Sequence, residues 1–384
     1  MQLKHLTLLA ASHAASVTAQ QTLGDVLNTQ AETLSSLASF LQSEETIYEV
    51  FNNARDVTLL APSNDALAKI QNTPLASSLL ADPQFLTAFL SYHVLNGTFY
   101  ASNLTTEPTQ FIPTLLDLNG YSSITGGQRL QVQTDDSGGV SFLSGDGTTS
   151  LVTSVNFNYT GGTIHVIDNV VTIPANVSTT LLNANLTATL GAVVQAGVAD
   201  TLTNTRDLTI FAPTNAAFEA IGNLVAGLTA EELANILGYH VIPGAVVYST
   251  DVTDGASVAS LQGEELNFRV VDGNVWVNSA KVVQANVLIA NGVVHVIDGV
   301  LNPANADAQP NPAASSPAPA FSGASSTGGV PFTSGIVAPT STSGPAPSAS
   351  GSDAPVTAGA APMKTAAVAA AALFGGAAAV LANL

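Results

Sequence analysis

The chain has no cysteine and few cations, and each shortage removes a class of protein. Without cysteine among its 384 residues there is no disulfide, no thiolate nucleophile and no cysteine-ligated metal. Lys and Arg number 8 against 27 Asp and Glu, a formal net charge of −19. Two of the cations, Lys4 and Lys364, lie in end segments. The others, Arg55, Lys69, Arg129, Arg206, Arg269 and Lys281, form no basic stripe, which argues against nucleic acid as a partner. Nucleophile elbows of the Gly-x-Ser-x-Gly type and phosphate loops of the Gly-x-x-x-x-Gly-Lys type are missing. No His-Glu-x-x-His spacing occurs either, so the sequence gives no enzyme, cofactor or metal expectation.

Both ends carry signals of export. Lys4 precedes a short apolar stretch, Leu6 to Ala11, and Val17-Thr18-Ala19 is a small-x-small site, so residues 1–19 read as a signal peptide. That stretch is far below the ~20 apolar residues of a spanning helix. At the other end, residues 366–384 are apolar and uncharged, follow a polar spacer, and are preceded by Gly351 and Ser352. This order is the signal for a glycosylphosphatidylinositol (GPI) anchor, with Gly351 or Ser352 as attachment residue and 353–384 removed. Residues 304–350 form a Pro/Ser/Thr/Ala/Gly tract with almost no charge and no apolar period, which reads as a disordered, O-glycosylated stalk.

The part between is written twice. "ARDVTLLAPSNDALAKI" from 54 matches "TRDLTIFAPTNAAFEAI" from 205; Tyr92-His93 matches Tyr239-His240; and His165-Val-Ile-Asp168 matches His295-Val-Ile-Asp298. Three blocks in one order mean a duplicated unit, with domains over 20–174 and 179–303 and a short junction. Within unit two, Leu190, Val193, Val194 and Val198 stand at helical spacing, and "LTIF" follows as a β-branched strand. Thr214-Asn215 reads as a helix start, Thr229 with Glu232 as a capping box, and Asp82-Pro83 as the cap and first-turn proline of a helix in unit one. "FRVVDGNVWV" predicts a hairpin turning at Asp272-Gly273. Helices first and strands after give an α+β class.

On a strand, residues three apart point to opposite faces, so neither His165 with Asp168 nor His295 with Asp298 makes a local acid–base pair. Valines on both sides predict a strand buried on both faces, with a neutral His bonded to backbone and the Asp capping the next turn. Tyr92 and Tyr239 end a helix beside apolar neighbours, which favours a buried ring with a bonded hydroxyl and leaves a surface contact open. Arg55-Asp56 and Arg206-Asp207 read as caps between helix end and strand start. N-glycosylation sequons stand at Asn96, Asn103, Asn158, Asn176 and Asn185, all in unit one or just past the junction.

The three blocks, twice over and across about 280 residues, strongly resemble the fasciclin domain. The resemblance implies two wedge-shaped domains, each a β-sandwich with several helices, and an extracellular adhesive or matrix role. Signal, stalk and anchor together resemble surface proteins of fungi and plants. In animal relatives the Tyr-His region is implicated in integrin contact, which would map to Tyr92, His93, Tyr239 and His240, although the chain has no Arg-Gly-Asp. The expected function is a non-enzymatic, GPI-anchored glycoprotein at the plasma membrane or wall that binds an extracellular protein or glycan. The alternative is a structural cell-wall glycoprotein whose domains are spacers. Unit two, which has no sequon beyond Asn185, is the expected partner-binding unit.

Overall fold

The computed structural model describes residues 21–105, 109–134, 138–225, 227–314 and 318–336. The signal peptide, the end of the stalk, Gly351, Ser352 and 353–384 lie outside the described residues. The first repeat contributes β1 (Val57–Pro62), β2 (Val94–Asn96), β3 (Phe111–Pro113), β4 (Arg129–Thr134), β5 (Val140–Leu143), β6 (Thr149–Tyr159) and β7 (Gly162–Ile167). The second contributes β8 (Leu208–Pro213), β9 (Val241–Ile242), β10 (Ser257–Ala259), β11 (Glu265–Val271), β12 (Asn274–Val277), β13 (Ala280–Ile289) and β14 (Gly292–Ile297). Their sheet orders, β2-β1-β7-β6-β5-β4-β3 and β9-β8-β14-β13-β12-β11-β10, are the same seven-stranded topology. Each sheet curls until its ends meet: Leu115 N–H donates to Val94 O in one domain, and Leu261 N–H to Val241 O in the other.

In each domain the first and last strands pair in parallel at the centre, which explains their continuous apolar sequence. β8 and β14 are buried at every position. The parallel pair starts on a glycine, since a Cβ at Gly162 or Gly292 would collide with the carbonyl oxygen of Val57 or Leu208. The Asp272-Gly273 hairpin forms as expected, with φ of 50° and 75° at its two turn residues and Val271 opposite Asn274.

Helix starts follow their capping chemistry. Thr214 Oγ1 accepts from Ala217 N–H, Asp82 accepts from Gln84 N–H ahead of Pro83, and Thr229 and Glu232 make the reciprocal capping box. The residue after the cap has a second task. Asn215 Oδ1 accepts from Ala188 N–H while its amide donates to Asn185 O, clamping helix Thr187–Gln195 to the strand end. Asn64 does the same to helix Ala31–Ser43 through Ser36 N–H and Glu32 O. Of the residues at helical spacing, Leu190 and Val193 are buried, but Val194 points out and is 56% exposed.

The Pro/Ser-rich tract is not structureless from residue 304 onward. Phe321, Ala324, Val330, Phe332 and Ile336 pack against the helical side of domain two, and the Phe332 ring meets Phe218 edge-on at 5.7 Å. Asn223 bonds the strap at three points: its N–H donates to Ser325 O, its amide to Gly323 O, and its Oδ1 accepts from Ser325 N–H. Average composition hides these few apolar anchors, which find a face that the helices leave open.

Candidate functional site

The repeated His-Val-Ile-Asp block locks the register of its neighbouring strand. β6 and β13 slip twice where they pair with β7 and β14, leaving Asn156 and Asn286 at φ of 62° and 63°. His165 Nδ1 accepts from Asn156 N–H at 3.3 Å, and His295 Nδ1 from Asn286 N–H at 3.4 Å. Their Nε2–H groups donate to Phe99 O and Val247 O, both at 2.8 Å. Beyond the bulges, Asp168 Oδ1 accepts from Leu151 N–H and Asp298 Oδ1 from Lys281 N–H, both at 2.7 Å. The two Asp residues therefore cap the adjacent strand and not the following turn. Burial drives both imidazoles toward the neutral form, with His295 pushed down to about 4.

The Tyr-His blocks are also internal. Tyr92 and Tyr239 are fully buried, and their hydroxyls donate to Arg129 O and Glu265 O, where a chain end of the curled sheet passes. His93 and His240 use the opposite tautomer from the other pair. Their Nδ1–H groups donate to Phe89 O and Ile236 O, and their Nε2 atoms accept from Val171 N–H and Leu301 N–H. Burial holds both down to about 4. The partner contact expected of Tyr92, His93, Tyr239 and His240 therefore meets a geometric obstacle: these side chains offer a partner no surface.

A second pattern lies where the domains meet. Loop 123–128 of domain one reaches into domain two: Ser123 N–H donates to Ala290 O, Asp207 N–H to Ser123 O, and Gln128 Nε2–H to Ile289 O. Thr125 gives both its N–H and its hydroxyl to the Asp207 carboxylate, at 2.7 and 2.6 Å. Phe111 and Tyr248 stack across the seam with centroids 3.9 Å apart. Tyr248 is preset for this contact. Thr209 holds the backbone of 245 and 247, His295 holds Val247 O, and Asn286 holds Ser249 N–H. Sequence reading assigned Asp207 to a local cap and did not single out Phe111, Arg129 or Tyr248. The available signal was that Phe111 and Arg129 differ from their counterparts Ser257 and Glu265, whereas Asp207 and Tyr248 repeat as Asp56 and Tyr100 and gave none. Arg55 does cap its own helix end, through Asn52 O and Ala54 O.

The sequon asparagines 96, 103, 158 and 185 are exposed, and Asn176 is half-buried as the N-cap of helix Val177–Asn183. Among the described residues, no group of three or more His, Asp or Glu could hold a metal, and no helix is long and apolar enough to cross a membrane.

This architecture, two copies of a curled seven-stranded sheet with its helices, defines a tandem-repeat module whose shared polar residues serve the fold. The fasciclin-domain family model matches residues 32–174 and 184–303, so the chain belongs to the fasciclin family. A fasciclin-like arabinogalactan protein of Arthroderma benhamiae is 34% identical over 310 residues, covering 80% of this chain and 73% of that protein. Another, from Phaeosphaeria nodorum, is 29% identical and covers 74% and 89% respectively. The solved FAS1 domain pair of the insect cell adhesion molecule Fasciclin I covers 70% of this chain and 96% of its own, at 19% identity and a TM-score of 0.33.

Proposed function

We propose that this is an exported, non-enzymatic cell-surface glycoprotein whose fasciclin pair binds an extracellular protein or glycan, chiefly through domain two. The supporting observation is an asymmetry of surface. Three exposed sequons, Asn96, Asn103 and Asn158, lie on domain one, while domain two carries Asn185 and the half-buried Asn176 at its entry. The fungal relatives named as arabinogalactan proteins support the glycoprotein reading. A GPI anchor at Gly351 or Ser352 would hold the pair outside the membrane on a stalk shortened by the strap. Phosphatidylinositol-specific phospholipase C is expected to release the chain from intact cells. The released chain should then bind cells or wall polysaccharide saturably, with contacts mapping to domain two. Release without any saturable binding would leave a structural wall glycoprotein in its place.

A further inference from the structure

The groove that takes the strap is shaped for the passage of a chain. Gly191 lies inside helix Thr187–Gln195, and a Cβ there would collide with Phe332 O, while a Cβ at Gly222 would press on Thr327 Oγ1. Glycine weakens a helix interior, a cost at Gly191 that the close approach of the strap explains. The matching positions of domain one, Ser39 and Gln71, both bear side chains. With the strap in place, helix Thr187–Gln195 is buried at every residue from Thr187 to Val193, whereas helix Ala31–Ser43 of domain one buries Leu34, Leu37, Ala38 and Leu41.

The strap is closed at one end and strained near the other. Asn302 and Asn305 both donate their side-chain amides to Ala320 O at 3.1 Å, so the chain returns to the domain close to where it left. Phe332 is held at φ of 63°, a conformation costly for a bulky residue, and strain of this kind gathers at elements that switch. The attachments between stand in a row. Phe321 enters the groove lined by Ile221, Leu228, Ile236 and Val300, the Asn223–Ser325 bonds follow, and Val330, Phe332 and Ile336 end it.

A pull on the chain beyond Ile336 therefore loads these attachments one at a time. β14, by contrast, is paired along its length with β8 and β13, so a pull at residue 303 loads its bonds together. We infer that the strap is a force-releasable clasp between domain two and the chain that follows, opening under tension while both domains stay folded. Opening frees residues 304–336, which adds roughly 100 Å of reach at ~3.3 Å per residue. The inference rests on the anchored reading for the source of the tension.

The chain has no cysteine of its own, so Gln20→Cys and Ser350→Cys give two unique handle sites on the full chain. Extension between optical traps should show a first, reversible lengthening of roughly 100 Å, at lower force than the unfolding of the domains. The later unfolding events report that each variant is folded. Gly191→Ala improves the helix but blocks Phe332 O, and should abolish the first event or move it to lower force. Phe321→Ser with Phe332→Ser should abolish it and leave the chain longer at rest. The clasp is overturned if no lengthening precedes domain unfolding, or if the event survives either change at unchanged force. The traps need no anchor, and phospholipase release from cells needs no clasp, so failure of this inference and failure of the anchored reading are told apart.

Discussion

Tyr100 and Tyr248 occupy the same place in the two repeats, each following a residue whose carbonyl receives the repeat's His Nε2–H. Tyr248 is buried in the seam, and Tyr100 is 40% exposed at the outer end of domain one. Around them the correspondence continues. Seam residues Asp251 and Leu288 have Asn103 and Asn158 as counterparts, both of them exposed sequons. On the opposite face, Phe111 and Arg129 of domain one correspond to Ser257 and Glu265. Duplication has kept the internal joints and changed the faces. A third domain would meet sequon asparagines at one end and would lack the Phe–Arg wall at the other, so the pairing does not propagate, a device against open-ended association.

If the joints are truly common, breaking one should cost either repeat alike. The largest effect is expected at Gly292 and Gly162, where an added methyl would strike the backbone of the parallel partner strand. Gly292→Ala and Gly162→Ala should each lose about 4 kcal/mol or more, read as a fall in the urea midpoint of the affected domain. A loss in one domain only would mean that the central strands are not equivalent.

Acid comes next, and it should separate the repeats. Buried His93, His240 and His295 are pushed down to about 4, and His165 is lowered without reaching so far. The unfolded chain titrates near ~6.5, so between that pH and the folded value the unfolded state alone binds the proton. Their contribution to stability is complete above about pH 6.5 and is lost as pH falls toward 4, by about 2 kcal/mol per residue of the three at pH 5. Asp298, raised by its burial, acts in the opposite direction. Domain two has two of the three strongly shifted histidines. Urea unfolding at pH 7.5 and pH 5 should move its transition further than that of domain one; equal movement would erase the distinction.

The α+β class, the two units, the helix caps and the Asp272-Gly273 hairpin were legible because each rests on local chemistry at fixed spacing. Burial of His165 and His295 was legible from their valine neighbours, whereas His93 and His240, expected at a partner contact, are buried as well. The opposite tautomers of the two pairs were not legible, since each is set by which carbonyl lies within reach after folding. The double bulges leave no mark beyond Asn156 and Asn286, two ordinary asparagines. The seam escaped for a related reason. A duplicated sequence draws attention to what repeats, whereas Phe111 and Arg129 do not repeat, and Tyr248 repeats as Tyr100 but differs in what surrounds it.

Composition also concealed the strap, which gives domain two a contact that has no counterpart in domain one. Phe332→Ala removes a partly buried ring from the groove beside Phe218. A loss of about 1–2 kcal/mol confined to domain two is expected, below the cost of emptying a fully buried site. An unchanged urea midpoint would mean that the strap lies on the domain without stabilising it.

The finest comparison uses two aspartates that share a backbone conformation and differ only in neighbours. Asp56 and Asp207 both begin the first strand of a repeat at positive φ, 54° and 52°. Asp56 is exposed, whereas Asp207 receives both bonds from Thr125. Asparagine tolerates the same φ and keeps one acceptor, so the substitution removes charge without straining the chain. Asp207→Asn should lose about 1 kcal/mol, because a charge-assisted pair becomes a neutral one, and should separate the unfolding of the two domains. Asp56→Asn should stay within about 0.5 kcal/mol, as surface changes do. Equal effects would show that the Thr125 bonds add nothing beyond the local turn, and the seam would then rest on the Phe111–Tyr248 stack and the Gln128 amide.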